Sequence, residues 1–448
     1  SVDDGSALRF LVNEVVTPFS TTRRFLLSAE PGLRMSESPV TARTASEPHP
    51  FLATRRFEED IFAGTAAVPD PRDDLFFWHA LGPSDSVTIP VELPGVLPSE
   101  ARALRVTIHA ATLHPDQPHR LELLWNGIHL GTFDRWGRGR HTLEVPLAGF
   151  FTDAENELTV RQQQAGPLPP VHYVDSVEID YLRLAEVDDE SFGFYGAEDG
   201  LASLSGLGSE ARYLYDVTDP QAPVFRGVVE ADPSGGFAFE TTSPDRRFLL
   251  VAPSGIGAAV DIRAHVAPTL RSTDNAADYL IIYASHLHDA AERIADYRRT
   301  DGDRVMAGDV DEVFWAFAGG APDPHALQEL LAHAWSSWAL APRFVLLVGK
   351  GTHDYRNILG LGGNFVPPLL APTEDGLLPA DTRLGDVHGE DGIPEMVVGR
   401  LPLTETGQIE PILERIRDFE QGQSTDPWSS SLFVSDDGDG GAFSAAAE

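Results

Sequence analysis

Cysteine is absent from all 448 residues. Its absence rules out disulfides, thiolate metal sites and any thiol nucleophile within this stretch. Lysine is almost as scarce: Lys350 is the single one, and every other basic side chain is arginine. No apolar run approaches the length of a membrane-spanning helix. The first residues, SVDDGSALRF, lack a basic region followed by an apolar core, so no signal peptide is visible there. Positive charge is in deficit, with 33 basic against 69 acidic side chains and a formal net charge of -36. Such a field repels nucleic acid and anionic membrane surfaces, and it suits calcium, cationic ligands or a basic substrate. Solubility alone is the plainer explanation.

The clearest pattern runs from 278 to 420. DYLIIYAS (278–285) is a short apolar strand, and HDAAERIADYRR (288–299) follows with Ala291, Ile294 and Ala295 on one helical face. A second helix is expected over 323–338, capped by Asp323. RFVLLVGKGTHDY (343–355) gives a second strand running into glycines, EMVVGRLPL (395–403) a third, and 406–420 a third helix. Strands apolar on both faces, separated by amphipathic helices, predict a mainly parallel sheet covered on both sides.

Before it the chain reads as β structure. Alternating stretches at 86–93, 103–110, 119–127, 141–147, 156–163 and 174–184 are separated by Pro, Gly and Asp turns, with a hairpin signal at Asn126 and Gly127. They predict a β-sandwich over 75–186, jelly-roll or immunoglobulin-like. Trp125 and Trp136 look exposed enough to serve as ligand platforms, although packing explains them more simply. Residues 187–274 read as a small β-rich packing module. Residues 1–74 are a poorly defined β and loop region, with FLVNEVV and RRFLLSA as short strands and 36–50 as a loop. At the other end, SLFV (431–434) and AFSAAAE begin a second α/β unit over 426–448. One strand and a helix start cannot bury their own apolar face, so the rest of that unit is expected beyond residue 448. The expected whole is a multidomain α+β chain: a β-sandwich, a packing module, an α/β subdomain over 275–425 and the start of another.

Chemistry-bearing residues gather at the ends of the apolar strands. His286 and His288 follow the first, where open α/β sheets place ligands. His353 and Asp354 follow the second, as an acid/base group and its orienter. No G-x-S-x-G elbow supplies a nucleophile, and GKGTHD lacks the spacing of a phosphate loop, so no nucleotide or organic cofactor is expected. Asp381, Asp386, Glu390, Asp391 and Glu395 cluster among glycines, and Asp436, Asp437 and Asp439 form a second acidic run. Hard oxygen ligands on flexible loops suit calcium, so Asp381, Asp386, Glu390, Asp391, Asp436, Asp437 and Asp439 are candidate metal ligands. The alternative is that hydrogen bonds to Arg383 and Arg400 shape the first loop.

Taken in order, DYLIIYAS, DYRRTDGDRVMAGDVDEVF, FAGGAPDPHALQELLAHAWSSW, APRFVLLVGKGTHDYRN, LPADTRLGDVHGEDGIPEMVVGRLPLTE and SLFVSDDGDGGAFSAAAE resemble the gingipain family of cysteine peptidases, peptidase family C25. The resemblance spans roughly 278 to 448. It implies two caspase-like α/β subdomains, with 275–425 the first and non-catalytic one. It also places the catalytic histidine and cysteine in the second, beyond Glu448, so no catalytic residue is expected within this chain. Lys350 departs from the family, which more often has an acidic residue there. Calcium near the acidic loops is likewise implied. The expected protein is the amino-terminal portion of a bacterial, secreted or cell-surface peptidase. Its partners would be the carboxyl-terminal catalytic segment of the same precursor and a peptide or protein substrate, basic in character. A non-catalytic surface scaffold, adhesin or carbohydrate-binding protein is the alternative.

Overall fold

The computed structural model describes residues 2–422 apart from 4–7, 10, 13–16, 23, 28–33, 98–102, 112–117, 148–154, 167–169, 260, 263, 265–267, 375 and 390. The expected strand 431–434 and the run from Asp436 to Asp439 therefore lie outside the described residues.

Eight strands build a two-sheet sandwich: β1 (Pro50–Glu58), β2 (Ser86–Val91), β3 (Ala103–Ala110), β4 (His119–Trp125), β5 (Ile128–Arg135), β6 (Gly139–Val145), β7 (Asn156–Gln163) and β8 (His172–Leu184). One sheet has the order β6-β3-β8-β1 and the other β5-β4-β7-β2, all antiparallel. Alternation in sequence becomes alternation in burial. Leu121, Leu123 and Trp125 of β4 point inward at 0 % exposure, against Leu104, Val106 and Ile108 of β3 and Val177 and Ile179 of β8. On the outer face, Arg105 grips Asp180 through two nitrogens at 2.7 and 2.8 Å and reaches Glu178 at 3.2 Å. Asn126 and Gly127 join β4 to β5 with φ of 48° and 78°, the left-handed pair that a two-residue hairpin turn requires.

Several expectations change. Residues 36–50 are not simply a loop: Ser36–Glu37 and Ala42–Arg43 are short strands, and β1 starts at Pro50. Because β1 pairs with β8 along nine residues, the sandwich begins well before residue 75. Residues 24–27 form no strand, and Phe25, Leu26 and Leu27 are exposed. Trp125 is no platform, because the strand's alternation turns it into the core, whereas Trp136 is exposed.

The next module contains β9 (Ser191–Tyr195), β10 (Leu201–Leu204), β11 (Arg212–Asp216), β12 (Val224–Val229), β13 (Phe237–Glu240) and β14 (Arg247–Val251). Its sheets run β9-β14-β11-β12 and β10-β13, and the strands at 36–37 and 42–43 extend one each. An aromatic core of Phe192, Phe194, Phe239 and Phe248 fills it, and Phe51 of β1 joins that core.

The α/β unit holds β15 (Tyr279–Tyr283), α1 (His288–Thr300), β16 (Val305–Asp309), α2 (Val310–Phe317), α3 (His325–Ser337), β17 (Phe344–Val348), a hairpin of β18 (Leu370–Thr373) and β19 (Gly376–Pro379), β20 (Val397–Leu401) and α4 (Ile409–Glu420). Its sheet has the order β16-β15-β17-β20 and every pairing is parallel. Leu280, Ile281 and Ile282 are consecutive and all at 0 % exposure, so both faces of β15 are covered. β16 and α2 were not expected. No loop separates them: Asp309 ends the strand and its carboxylate caps the helix by accepting from the Asp311 amide at 2.8 Å. Asp323 likewise receives the His325 amide at 2.8 Å at the head of α3.

Sandwich and α/β unit meet across an apolar cluster of Ala67, Val68, Leu75, Phe76 and Phe77 with Leu370 and Leu377 of the β18–β19 hairpin. Gly376 sits there at φ +129°, where a Cβ would come within 2.8 Å of the backbone of Thr65 and Ala66. Arg356 enters beside this cluster with its side chain only 5 % exposed. It pairs with Asp60 at 2.9 Å and with both oxygens of Asp74 at 3.1 Å. Nearby, burial first and then the Glu58 charge push the Asp175 carboxyl up to about 7, against Arg56.

Arg356→Met leaves two half-buried carboxylates without their cation and is expected to cost about 3 kcal/mol, read from denaturant midpoints. A loss below ~1 kcal/mol contradicts the pairing. Asp175 has a folded pKa above its unfolded one, so its ionisation erodes stability as pH rises from about 4 to 7. Asp175→Asn should therefore gain stability progressively from pH 5 to 7 and no further above that. A gain independent of pH would contradict the assignment.

Candidate functional site

Parallel strands deliver their carboxyl ends to one edge of the sheet, and a cleft of about 340 Å³ opens there. Ser285 and His286 follow β15, Asp311 and Phe314 belong to α2, and Tyr355 and Phe365 come from the long connection after β17. Phe19 and Arg24, from the amino-terminal part of the chain, line the same cleft. Phe19 packs its ring 5.1 Å from Tyr355 and 5.4 Å from His325, and Arg24 pairs with Asp311 at 3.0 Å.

The histidines do not converge. His286 is exposed and leans edge-on against Phe365 at 4.5 Å, while His288 contacts only the exposed Asp289 and the Tyr283 ring. Asp354 is completely buried, and its two oxygens receive the amides of Ile358 and Leu359, each at 2.7 Å. It folds the loop rather than orienting His353. Lys350 donates to the Leu361 carbonyl at 2.6 Å, and the Tyr355 hydroxyl to Pro368 at 2.8 Å, with burial pushing that phenol upward. Among the described residues at this edge, no hydroxyl is hydrogen-bonded to an imidazole, the pairing that an activated nucleophile needs.

What the edge does contain is a guanidinium node. Arg400, in β20, holds both oxygens of Asp381 at 2.6 and 2.8 Å, and its remaining nitrogen donates to the carbonyls of Gly349 at 2.9 Å and Val366 at 2.6 Å. One side chain thereby ties together the turn after β17, the chain at 366 and the helical turn Asp381–Gly385. The rest of the acidic loop is equally committed. Glu395 receives the amides of Val387 and His388, Asp391 that of Ile393, and Asp386 that of Gly392. Asp386 also keeps one buried oxygen without a partner. Glu390 lies outside the described residues. Asp381, Asp386 and Asp391 do not form a ligand-close trio, and the one such group among the described residues is Glu58, Asp60 and Asp74, at the sandwich seam. Among the described residues, then, the carboxylates of the acidic loop are engaged by backbone amides and by Arg400. Of the two arginines expected to shape this loop, Arg400 does so through its side chain, while Arg383 offers its carbonyl to Gln328.

The model of peptidase family C25 matches residues 272–448, which covers the whole parallel-sheet unit. That region is similar to peptidase family C25. Among solved structures, dimeric latent PorU from Porphyromonas gingivalis is similar in fold, with a TM-score of 0.60 and 17% identity. The match covers 89% of this chain and 40% of that one, so the chain spans well under half of PorU's length. A carbohydrate-binding module, CBM36 in complex with calcium and xylotriose, matches at a TM-score of 0.19 and 15% identity over 28% of this chain and 98% of that one. That likeness carries no argument. No curated protein matches the chain.

Arg400→Lys is expected to destabilise nearly as much as Arg400→Gln, by about 2–3 kcal/mol, because an ammonium cannot span Asp381 and two carbonyls together. Denaturant midpoints, with limited proteolysis of the 349–395 connections, measure it. A lysine variant with wild-type stability would show that the node is dispensable.

Proposed function

We propose that this chain is the amino-terminal portion of a gingipain-like cysteine endopeptidase, and that its α/β unit is a caspase-like subdomain that scaffolds the catalytic one. The reading is carried by one coincidence. The C25 match falls on a parallel sheet of four strands among the described residues, in a stretch with no cysteine. In the whole enzyme a thiolate paired with histidine would attack the peptide carbonyl, backbone donors would hold the oxyanion, and water would release the acyl group. The Arg400 node would serve this chemistry indirectly, by fixing the connections at the sheet edge against which the catalytic subdomain packs.

The partner is the catalytic segment of the same precursor, and the substrate is a peptide or protein. The formal charge of -36 favours basic substrates by steering. A secreted or cell-surface bacterial location belongs to the same proposal.

The test uses the full-length gene product and a thiol-directed peptidyl inhibitor, with the labelled residue mapped by peptide mass. Labelling of a cysteine outside residues 1–448, with no peptide hydrolysis by 1–448 alone, is the expected result. Hydrolysis by the purified 448-residue chain would overturn it.

A further inference from the structure

One end of the sandwich encloses imidazoles from both of its sheets. His119 opens β4, while His172 opens β8 and His141 lies within β6 of the opposite sheet. β3 separates the latter two: Ala110 pairs with His172, and Ile108 with His141. His119 and His172 are both at 0 % exposure, and their rings meet edge to face with centroids 4.7 Å apart. The His141 ring stands 6.2 Å from that of His119.

All four ring nitrogens of His119 and His172 are buried without a hydrogen-bond partner. Protein interiors rarely tolerate this, because each stranded polar atom forfeits its hydration. His141 is differently placed. Its Nε2 donates to the Gly137 carbonyl at 2.9 Å, which leaves the Nδ1 lone pair free, the arrangement usual for a metal-binding imidazole. The same carbonyl also lies against His119, where it partly opposes the lowering caused by burial.

We propose that His119, His172 and His141 form a binding site for a divalent transition metal of the zinc class, which staples the two sheets of the sandwich together. Three neutral imidazoles suit that ion better than calcium. Burial and the neighbouring rings hold His172 down to about 3 and lower His119, so both are neutral and ready to ligate at pH 7. The rings stand slightly open, since no three ligand atoms here lie within 4.8 Å of one another. Capture of the ion turns at least one ring about its χ2 to reach the usual zinc–nitrogen distance of about 2.0–2.1 Å. A cross-sheet metal also supplies the kind of link that a chain without cysteine cannot make by disulfide.

Tag-free 448-residue protein, stripped with EDTA, is titrated with Zn²⁺ and separately with Co²⁺ at pH 7.5. Expected are one tightly held zinc per chain by elemental analysis, a higher thermal midpoint with zinc, and a visible ligand-field band with cobalt. His119→Gln abolishes all three. His141→Gln, at a half-buried ring, weakens binding about tenfold or more with the metal-free midpoint little changed, which separates loss of a ligand from loss of the fold. Absence of binding and of any midpoint shift in the parent chain overturns the proposal. So does binding that survives both substitutions, which assigns the metal to surface histidines.

Discussion

Arg356 occupies the position on which the arrangement of the two larger units depends. It belongs to the long connection after β17, yet its side chain is buried against the sandwich side of the seam, between Asp60 and Asp74 and over the ring of Phe76. The apolar cluster around Phe76 and Phe77 supplies the non-directional part of the attraction, and the guanidinium supplies direction. Burial first, and neighbouring carboxylates after it, oppose ionisation at Asp60, Asp74 and Asp175. The seam is a balance in which one cation offsets several anions.

A second guanidinium repeats this logic inside the α/β unit. Arg400 ties two points of the connection after β17 to the helical turn at Asp381, and Asp354 closes a loop within that same connection through backbone amides. The edge is therefore stiffened by polar side chains that face inward and are fully used. Such an edge suits a platform. It leaves His286 and Ser285 at the rim with no preorganised catalytic partner among the described residues.

Much of the fold was legible because its strands follow two simple burial rules. β4 and β7 alternate since one face meets the core and the other water, and β15 and β17 are continuously apolar since helices cover both faces. β16 escaped because it passes into α2 without punctuation, with Asp309 serving both elements. β1 was missed because the loop-like stretch 36–50 runs straight into it and its partner β8 lies more than 100 residues away. In the site, the pairing of Arg400 with the acidic loop could be anticipated from their closeness in sequence. Arg356 could not, since Asp74 is 282 residues distant. The imidazoles of the sandwich end were equally hidden, because each sits in its own strand and only the packing of two sheets brings them together.

The choice of arginine for these anchors carries a further consequence. A guanidinium does not lose its proton in any solution a protein meets, whereas an ammonium does. Arg105 on the sandwich face, Arg356 at the seam and Arg400 at the sheet edge therefore keep their grip in alkali, where lysine-built counterparts would let go. These arginine anchors are thus blind to alkalinity, and acid loosens them only by protonating the carboxylates they hold.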